Sequence, residues 1–303
     1  MQATIGFVGL GTIGLPMAER LLGQGFPMVV YNRTAAKADA MAARGARRAA
    51  DPAEAAAAAE IVITMVSDSA ALREVALRER GILSGLATGN IHVDMSTVDP
   101  ETTAALAGTY REQDKFFLHA PVLGSKRAAA EGSLLIFAGG PRQAYERCSH
   151  VFSALGKKSW HWEEVARATG MKLACNLLLG GLMAVYAEAL VFAAKAGIAP
   201  SDLMEVISLS ALAAPNFQNK GRSISQRNFV PNFYASHMLK DMDLILSAAE
   251  KLHVSLPATA AVRELFRAAV SSGFGREDYS AVVKVLEEAA GCTVQKAAAS
   301  GAG

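Results

Sequence analysis

The chain has 303 residues, of which 51% are hydrophobic and 19% charged, and its 30 basic and 28 acidic side chains leave a formal charge of +2. This composition predicts a folded protein of about two domains and excludes wholesale disorder. The near-neutral balance offers no field for a nucleic acid or an anionic membrane, and the three cysteines, Cys148, Cys175 and Cys292, do not make a disulfide scaffold. No secretory signal is visible at the start, so we expect a cytoplasmic protein.

Short β-branched runs alternate with alanine-rich helical patterns in the first half of the chain. Strands are predicted at 4–8, 28–31, 61–66, 91–94, 116–118 and 134–137, and helices at 13–24, 34–44, 70–78, 100–111 and 143–155. This alternation predicts an α/β domain over residues 1–164, a mostly parallel, doubly wound sheet with helices on both faces. Its ligand crevice is expected at the carboxyl ends of the strands.

Helical periodicity replaces the alternation in the second half and predicts an all-helical domain over residues 165–303. One long helix is predicted from Ala166 to Ala196, and Gly197 suits its C-terminal end. Ser201 is predicted to cap the next helix, and the tail from about residue 292 is expected to fray. The remaining helices are predicted at 235–252, 258–271 and 279–290.

One stretch of the long helix is apolar enough to resemble a membrane span. Residues 173–194 are nearly all apolar, but Asn176 and Glu188 interrupt them. The unbroken apolar run is therefore shorter than the ~20 residues that a bilayer requires. We interpret the stretch as a helix buried between domains or subunits, and we expect no membrane partner.

A glycine-rich turn follows the first strand directly and opens a helix. In this context the first glycine of G-x-G-x-x-G permits a tight turn, and the second lets the backbone approach a pyrophosphate. The third lets the helix pack against the strand, and the helix N-terminus presents N–H groups to the phosphates. The pattern predicts a dinucleotide site formed by Gly9, Leu10, Gly11, Thr12, Ile13 and Gly14.

The end of the second strand indicates which dinucleotide is bound. A site that prefers NAD usually carries an acidic residue there for the ribose 2′-hydroxyl. Here the strand is followed by Asn32, Arg33 and Thr34, with Lys37 one turn later. No carboxylate is present there to repel a 2′-phosphate, and Arg33 can bind a 2′-phosphate through charge-assisted hydrogen bonds. We therefore predict NADP(H); the alternative is that Arg33 is an ordinary surface arginine.

A lysine and an asparagine lie four residues apart near the start of the long helix and share one face. Lys172 and Asn176 stand among apolar neighbours such as Leu173 and Leu177. A lysine in this place can protonate a developing alkoxide or accept the proton of an alcohol, with Asn176 orienting it or binding the substrate oxygen. The alternative is a lysine that reaches solvent from a helix end.

The histidines carry no metal-ligand spacing. His92, His119 and His237 are scattered along the chain, without a second His or Cys at a distance that suits zinc, so no metal is predicted. His161, between two tryptophans, is typical of an amphipathic edge strand. His119 directly precedes Ala120 and lies close to the expected crevice, so a minor substrate contact stays open.

Five sequence blocks occur in an order that is characteristic of one enzyme family. They are Gly9–Gly14 with Pro16-Met17-Ala18, Asp94-Met95-Ser96-Thr97 with Pro100, Ala120-Pro121-Val122, Gly170-x-Lys172-x-x-x-Asn176, and Lys240-Asp241-Met242-x-Leu244. From about Thr4 to Ala290 the chain thereby resembles the β-hydroxyacid dehydrogenases, the family of 3-hydroxyisobutyrate dehydrogenase. The resemblance implies a Rossmann domain, then an all-helical domain, a shared long helix, and a homodimer or homotetramer formed through the helical part.

The resemblance also implies roles for individual residues. Lys172 would be the catalytic acid/base, with Asn176 beside it. Beyond the glycine turn and Asn32, Arg33 and Thr34, the implied cofactor contacts are Met65, Val66, Thr97 and Lys240. The implied substrate contacts are Ser96, Leu123, Gly124, Ser125, Lys240 and Asp241. Without the other blocks, Lys240 and Asp241 would be interpreted as an ordinary ion pair on a helix face.

Departures from the family pattern indicate which branch of the family the chain resembles. Hydroxyisobutyrate-type members carry Pro-Val-Ser-Gly-Gly where this chain has Pro121-Val122-Leu123-Gly124-Ser125, so one hydroxyl donor is missing. The Lys-, Ala- and Glu-rich loop 126–132 is similar to that of the glyoxylate/succinic semialdehyde reductases. The implied activity is NADPH-dependent reduction of a small semialdehyde or keto acid to the hydroxyacid. The alternatives are a NAD-dependent 3-hydroxyisobutyrate-type dehydrogenase, an imine reductase-like relative and a non-catalytic dinucleotide-binding protein.

Overall fold

The computed structural model describes residues 2–295, which fall into two compact units. The first unit extends to Cys175 and the second begins at Asn176. The division falls within one long helix, whereas the sequence predicts a boundary at 164/165, the start of that helix. Residues 296–303, on which most of the predicted frayed tail falls, lie outside the described residues.

The first unit is the predicted doubly wound α/β domain. Its strands are β1 (Ile5–Val8), β2 (Met28–Tyr31), β3 (Arg47–Arg48), β4 (Ile61–Thr64), β5 (Ile91–Asp94), β6 (Phe116–His119), β7 (Val122–Leu123), β8 (Leu134–Gly139) and β9 (Gly156–Trp162). They form one sheet in the order β3-β2-β1-β4-β5-β6-β8-β7, with β9 beside β8. Neighbours from β3 to β6 are parallel, whereas β8 runs antiparallel to β6 and β7.

Helices cover both faces of this sheet. They are α1 (Gly14–Gly23), α2 (Ala35–Ala42), α3 (Pro52–Ala57), α4 (Ser69–Leu77), α5 (Ile82–Gly85), α6 (Pro100–Arg111), α7 (Lys126–Glu131), α8 (Arg142–Arg147) and α9 (Ser149–Leu155). Successive strand residues point to opposite faces, so Ile61 and Ile63 join one hydrophobic core and Val62 joins the other. Asp51, Asp68 and Asp99 cap α3, α4 and α6 with their carboxylates, which explains where these helices begin.

The six strands predicted from β-branched runs and the strand expected around His161, which is β9, are confirmed. The differences are confined to short elements. The two-residue strands β3 and β7, and the short helices α3, α5 and α7, were not predicted, since so few residues carry no readable period. The single helix predicted at 143–155 is two helices that meet at Cys148.

The second unit is all-helical, as predicted. Its elements are α10 (Val165–Lys195, which begins in the first unit), α11 (Pro200–Leu209), α12 (Pro215–Ser225), α13 (Ala235–Lys251), α14 (Pro257–Ser271), two short 3₁₀ helices (Phe274–Arg276 and Tyr279–Ala281) and α15 (Val282–Ala290). Gly180 lets α10 and α13 approach, because a Cβ there would lie 2.9 Å from a carbon of Met242 and 3.0 Å from the sulfur of Met238.

Three details of the helical prediction were wrong. Ser201 does not cap α11: Ala199 holds the cap position and Pro200 the first turn, where proline's fixed φ is favourable. The helix α12 was not predicted, because its glycine, asparagine and serines obscure the apolar period. The predicted helix 279–290 begins instead as a 3₁₀ turn, after which α15 starts at Val282.

The long helix α10 meets the length and composition test for a membrane span. The test window has a mean hydropathy of 2.0, and 44% of it is buried. Core helices of folded proteins pass the same test. The part of α10 in the second unit makes polar as well as apolar contacts there. Asn176 donates a hydrogen bond to Asp241, and Gly180 packs against α13.

Candidate functional site

The three glycines after β1 have three different surroundings. Gly9 has a φ of +104°, and a Cβ there would overlap the carbonyl of Met65. A Cβ on Gly14, the first residue of α1, would overlap the carbonyl oxygen of Gly9. Nothing lies within 4 Å of the Cβ position of Gly11. The turn is therefore closed at its two ends and open in the middle, which fits a pyrophosphate lying over Gly11.

Hydrogen bonds from the side chain of Asn32 connect the glycine turn to the end of β2. Its side-chain oxygen accepts a hydrogen bond from the backbone N–H of Leu10 at 2.9 Å, and its amide nitrogen donates to the carbonyl of Thr34 at 2.9 Å. The Leu10 side chain belongs to the core, whereas Thr12 and Ile13 are half-buried. Asn32 thus shapes the turn, and the N–H of Leu10 is already engaged.

A cleft of about 270 Å³ lies beside the turn, wholly within the first unit. Its walls come from the glycine turn, from the residues after β2 and β4, and from one face of α4. Four charged side chains line it: Arg33, Lys37, Glu74 and Arg78. Arg33 and Lys37 are exposed, and no carboxylate follows β2. The cleft fits the adenosine half of a dinucleotide, and its lining holds more cations than carboxylates.

A row of polar side chains crosses the carboxyl ends of three neighbouring strands. Thr64, Asp94 and His119 are the last residues of β4, β5 and β6, and the parallel register pairs Thr64 with Asp94 and Asp94 with His119. All three are fully buried. The hydroxyl of Thr64 donates to Oδ1 of Asp94 at 2.7 Å, and Nδ1 of His119 lies 3.0 Å from Oδ2.

His92 and Tyr110 extend this row behind the sheet. Because the Thr64 hydroxyl gives its proton to Asp94, it accepts from Nε2 of His92 at 3.0 Å. The other ring nitrogen, Nδ1, then accepts from the Tyr110 hydroxyl at 2.7 Å. Burial lowers the pKa of His92 to about 4, with Asp94 opposing. The imidazole is therefore neutral, and every proton in this chain of hydrogen bonds is directed towards Asp94.

Asp94 is the anionic centre of the network. Burial by itself would raise the pKa of its carboxyl, but the hydrogen bond and charge of His119, with the hydroxyls of Ser96 and Thr64, hold that pKa below its usual value. Ser96 donates to Asp94 at 2.7 Å and accepts from the N–H of Val66 at 2.9 Å. The network thereby fixes the loop after β4, whose residues line the coenzyme cleft.

The loop 123–125 combines an apolar residue with a helix cap. Leu123 is half-buried in β7, and Gly124 has a φ of +156° with the side chain of Leu134 against its Cβ position. Ser125 accepts a hydrogen bond from the N–H of Ala128 at 3.3 Å and so caps α7. Gly124 and Ser125 are exposed.

The helical unit holds a buried polar cluster on α10 and α13. Nδ2 of Asn176 donates to Oδ2 of Asp241 at 2.5 Å, and Nζ of Lys240 lies 3.1 Å from Oδ1 of the same carboxylate. Asn176 and Asp241 are 1% exposed. One turn before Asn176 on the same helix, Lys172 is 8% exposed. The lysine therefore stands in poorly hydrated surroundings, and its neighbouring amide is held in one orientation.

The structure thus brings the predicted residues together in separate groups. Gly9, Gly11, Asn32, Arg33, Thr34, Met65 and Val66 line the cleft of the first unit, and Leu10 is bound to Asn32 through its backbone N–H. Asn176, Lys240 and Asp241 meet in the second unit. Ser96 belongs to the Asp94 network, while Thr97 is half-buried close by in sequence.

Sequence analysis missed the Asp94 network and Arg78. One signal was readable, since Thr64 and Asp94 are polar residues near the ends of apolar runs. Arg78 gave no signal, because its place in the cleft depends on where α4 ends. Within the described residues, no cluster of three His, Cys, Asp or Glu side chains suits a metal ion.

Comparisons with known proteins point to one family. The family model described as the NAD-binding domain of 6-phosphogluconate dehydrogenase matches residues 4–169. The model described as NAD-binding of NADP-dependent 3-hydroxyisobutyrate dehydrogenase matches residues 166–286.

Individual relatives agree with the family models. Glyoxylate/succinic semialdehyde reductase 1 of Arabidopsis thaliana is 36% identical over 93% of this chain and 98% of that protein. The chloroplastic reductase 2 of the same plant is 35% identical over 94% of this chain and 80% of its own length. A solved 3-hydroxyisobutyrate dehydrogenase from Salmonella typhimurium superposes with a TM-score of 0.86 at 26% identity, covering 93% of this chain and 99% of that one.

Proposed function

Because the chain belongs to the β-hydroxyacid dehydrogenase family, whose members are NAD(P)-binding oxidoreductases, we propose that it reduces a small semialdehyde or keto acid with NADPH. The substrate is of the glyoxylate or succinic semialdehyde type, and the product is the hydroxyacid. The observation that carries this proposal is the buried Lys172, one helical turn before an asparagine whose amide is fixed by Asp241.

The residues around the cleft fit a dinucleotide phosphate. Gly11 leaves open space at the turn, and the cations Arg33 and Lys37 line the adenosine end. When bound, the reduced nicotinamide supplies a hydride to the carbonyl carbon of the substrate. The Asp94 network holds Val66 through Ser96 and so keeps the wall of the cleft rigid before the cofactor arrives.

The chain's own residues supply the proton and bind the substrate. Nζ of Lys172 protonates the carbonyl oxygen as it becomes an alkoxide, and Asn176 keeps the lysine and the substrate oxygen aligned. The hydroxyl of Ser96 is already engaged by Asp94 and Val66. Of the implied contacts Ser96, Gly124 and Ser125, we therefore assign the substrate carboxylate mainly to Gly124 and Ser125, and we assign Lys240 to the nicotinamide end of the site. Leu123 offers apolar contact where a serine would offer a hydroxyl.

Substitution of Lys172 tests the proton-transfer role. Lys172→Ala is expected to lower kcat for aldehyde-dependent NADPH oxidation by about 10²- to 10⁴-fold, the range of general acid catalysis, with NADPH affinity retained. The matched control is Lys195→Ala, an exposed lysine at the other end of the same helix. A kcat within a few-fold of wild type in Lys172→Ala would refute the role of Lys172 as the general acid.

Initial rates with NADPH and NADH test the cofactor. A panel of short aldehyde acids should be reduced faster with NADPH, because cations and no carboxylate follow β2. A marked preference for NADH would favour the NAD-dependent 3-hydroxyisobutyrate-type dehydrogenase instead. Turnover of cyclic imines but not of aldehyde acids would favour the imine reductase alternative, and binding without any turnover would favour a non-catalytic protein.

An exposed apolar stripe on α10 supports a homo-oligomer. Leu178, Leu182, Val185 and Phe192 follow a helical spacing on one side of α10, and Leu178 and Phe192 are 62% and 77% exposed. We assign this stripe to contact with a second copy in a homodimer or homotetramer. Light scattering should show a smaller species for Val185→Glu with Phe192→Glu, but not for Leu252→Glu, which replaces an exposed leucine elsewhere. Flotation of the wild type with liposomes would instead indicate a membrane contact.

The remaining partner assignments follow from composition. The formal charge of +2 offers no field for nucleic acid, and the family supports a small carbonyl or hydroxyacid substrate as the partner. We propose a cytoplasmic location. Because one relative is named chloroplastic, fractionation of the host cell is the test of that location.

A further inference from the structure

Arg78 forms one wall of the coenzyme cleft. It follows directly on α4, whose residues Ala71, Glu74 and Val75 line the same cleft. Its guanidinium carbon lies 5.7 Å from the centroid of the Tyr31 ring, and its Nη2 lies 3.4 Å from the Tyr31 hydroxyl. A cation stacked on a ring loses little freedom when it binds an anion, so Arg78 is oriented in advance.

One hydrogen-bond donor of the Arg78 guanidinium lacks an acceptor among the described residues. Its Nε is buried and has no hydrogen-bond partner among the described residues. The nearest carboxylate on its own helix, Glu74, lies 4.0 Å from Nη1 rather than from Nε. Burying a donor of a charged group without an acceptor is unfavourable. An acceptor from outside the chain is therefore expected at this side chain.

The charges that line the cleft match a phosphate monoester. Arg33, Lys37 and Arg78 are the three cations in the lining, and Glu74 is the one carboxylate there. Three cations against one anion leave two positive charges. A phosphate monoester carries a charge of about −1.5 to −2 near pH 7, and a guanidinium binds two of its oxygens at once.

We propose that Arg78 determines cofactor specificity by binding the 2′-phosphate of the adenosine ribose together with Arg33 and Lys37. The inference rests on the proposed function, since it requires the phosphorylated cofactor. With a cofactor that lacks the 2′-phosphate, Arg78 keeps its stack on Tyr31 but has no anion to bind. Sequence analysis could not assign this role to Arg78, because Arg78 lies more than forty residues after the end of β2.

Calorimetric binding of 2′,5′-ADP and 5′-AMP to the full-length protein tests the assignment without catalytic turnover. Wild type should bind 2′,5′-ADP about tenfold or more tightly than 5′-AMP. Arg78→Gln should lose about tenfold in affinity for 2′,5′-ADP, the value of a hydrogen bond to a charged group, and stay within about twofold for 5′-AMP. The control is Arg73→Gln: Arg73 is also on α4 but lies 3.9 Å from Asp99 and outside the cleft.

The possible results separate the role of Arg78 from the proposal that the cofactor is NADPH. Unchanged selectivity in Arg78→Gln, with wild-type preference for 2′,5′-ADP, overturns the role of Arg78 and leaves the NADPH proposal standing. Equal weakening of both ligands also overturns it, because Arg78 would then contact the adenine. No preference in wild type removes the NADPH proposal and this inference together. If Arg78→Gln does not fold, Arg78→Met keeps the apolar stem over Tyr31 and should show the same selective loss.

Discussion

Burial of His92 predicts a specific pH dependence of folding stability. The ring is fully buried in the first unit, and burial lowers its pKa to about 4 from the ordinary value of 6.5. Between these two values the unfolded chain binds a proton on this residue and the folded chain does not. The free energy of unfolding therefore decreases as the pH falls through this window.

The two pKa values set the size of the effect. Linkage gives a loss of about 2 kcal/mol between pH 7.5 and pH 5, and about 3 kcal/mol by pH 4. The carboxyl of Asp94 acts in the same direction, because its pKa is also lowered. Its contribution is lost only as the pH falls below the usual carboxyl value, so Asp94 adds little between pH 7.5 and 5, and comparison with a His92 variant isolates the contribution of His92.

Urea unfolding of wild type and His92→Gln at pH 7.5 and 5 measures this contribution. Both tryptophans lie in β9, so their fluorescence follows the first unit. His92→Gln should be less stable at pH 7.5 by about 1–3 kcal/mol, because Tyr110 and Thr64 lose a partner. It should then lose about 2 kcal/mol less than wild type on acidification. His150→Gln, at an exposed site, is the control, and parallel losses in wild type and His92→Gln would refute the reasoning.

Gly14, Tyr186 and Cys148 give one further prediction each. Gly14→Ala places a Cβ against the carbonyl of Gly9 and should weaken NADPH binding by about tenfold or more in a fluorescence titration; wild-type affinity would contradict this. The Tyr186 hydroxyl is buried without a hydrogen-bond partner among the described residues, so Tyr186→Phe should leave thermal stability equal or higher by up to about 1 kcal/mol, and a clear loss would be contrary evidence. Burial raises the pKa of the Cys148 thiol to about 12, so iodoacetamide at neutral pH should alkylate it only in denaturant, as peptide masses will show; labelling of the native protein would disprove this.

The parts of the site that were predictable from sequence depend on contacts between residues close along the chain. The glycine turn is six residues long, and Lys172 and Asn176 are one helical turn apart. Local spacing fixes such groups wherever the rest of the chain lies. The alternation of strands and helices is likewise a local signal, and it was sufficient for the α/β domain and for α10.

The missed residues depend on register and on where elements end. Asp94 meets Thr64 and His119 only because three parallel strands are aligned at their last residues, a register that no single strand shows. Arg78 reaches Tyr31 only because α4 ends beside β2. Tertiary placement therefore decides the positions of Asp94 and Arg78. Ser201 failed as a helix cap for a local reason, since the adjacent Pro200 occupies the first turn and moves the cap to Ala199.

Burial separates the residues that shape the dinucleotide cleft from those that we propose select the coenzyme. Gly9, Gly14 and Asp94 are enclosed by backbone or buried hydrogen bonds, so their replacement disturbs the fold as well as the site. Arg33 is exposed, and the Arg78 side chain remains 35% exposed, so their replacement removes charge at little cost to packing. If Arg33 and Arg78 bind the 2′-phosphate as proposed, surface substitutions can change the selection between NADPH and NADH, whereas substitutions in the enclosed glycine turn disturb the binding of both cofactors.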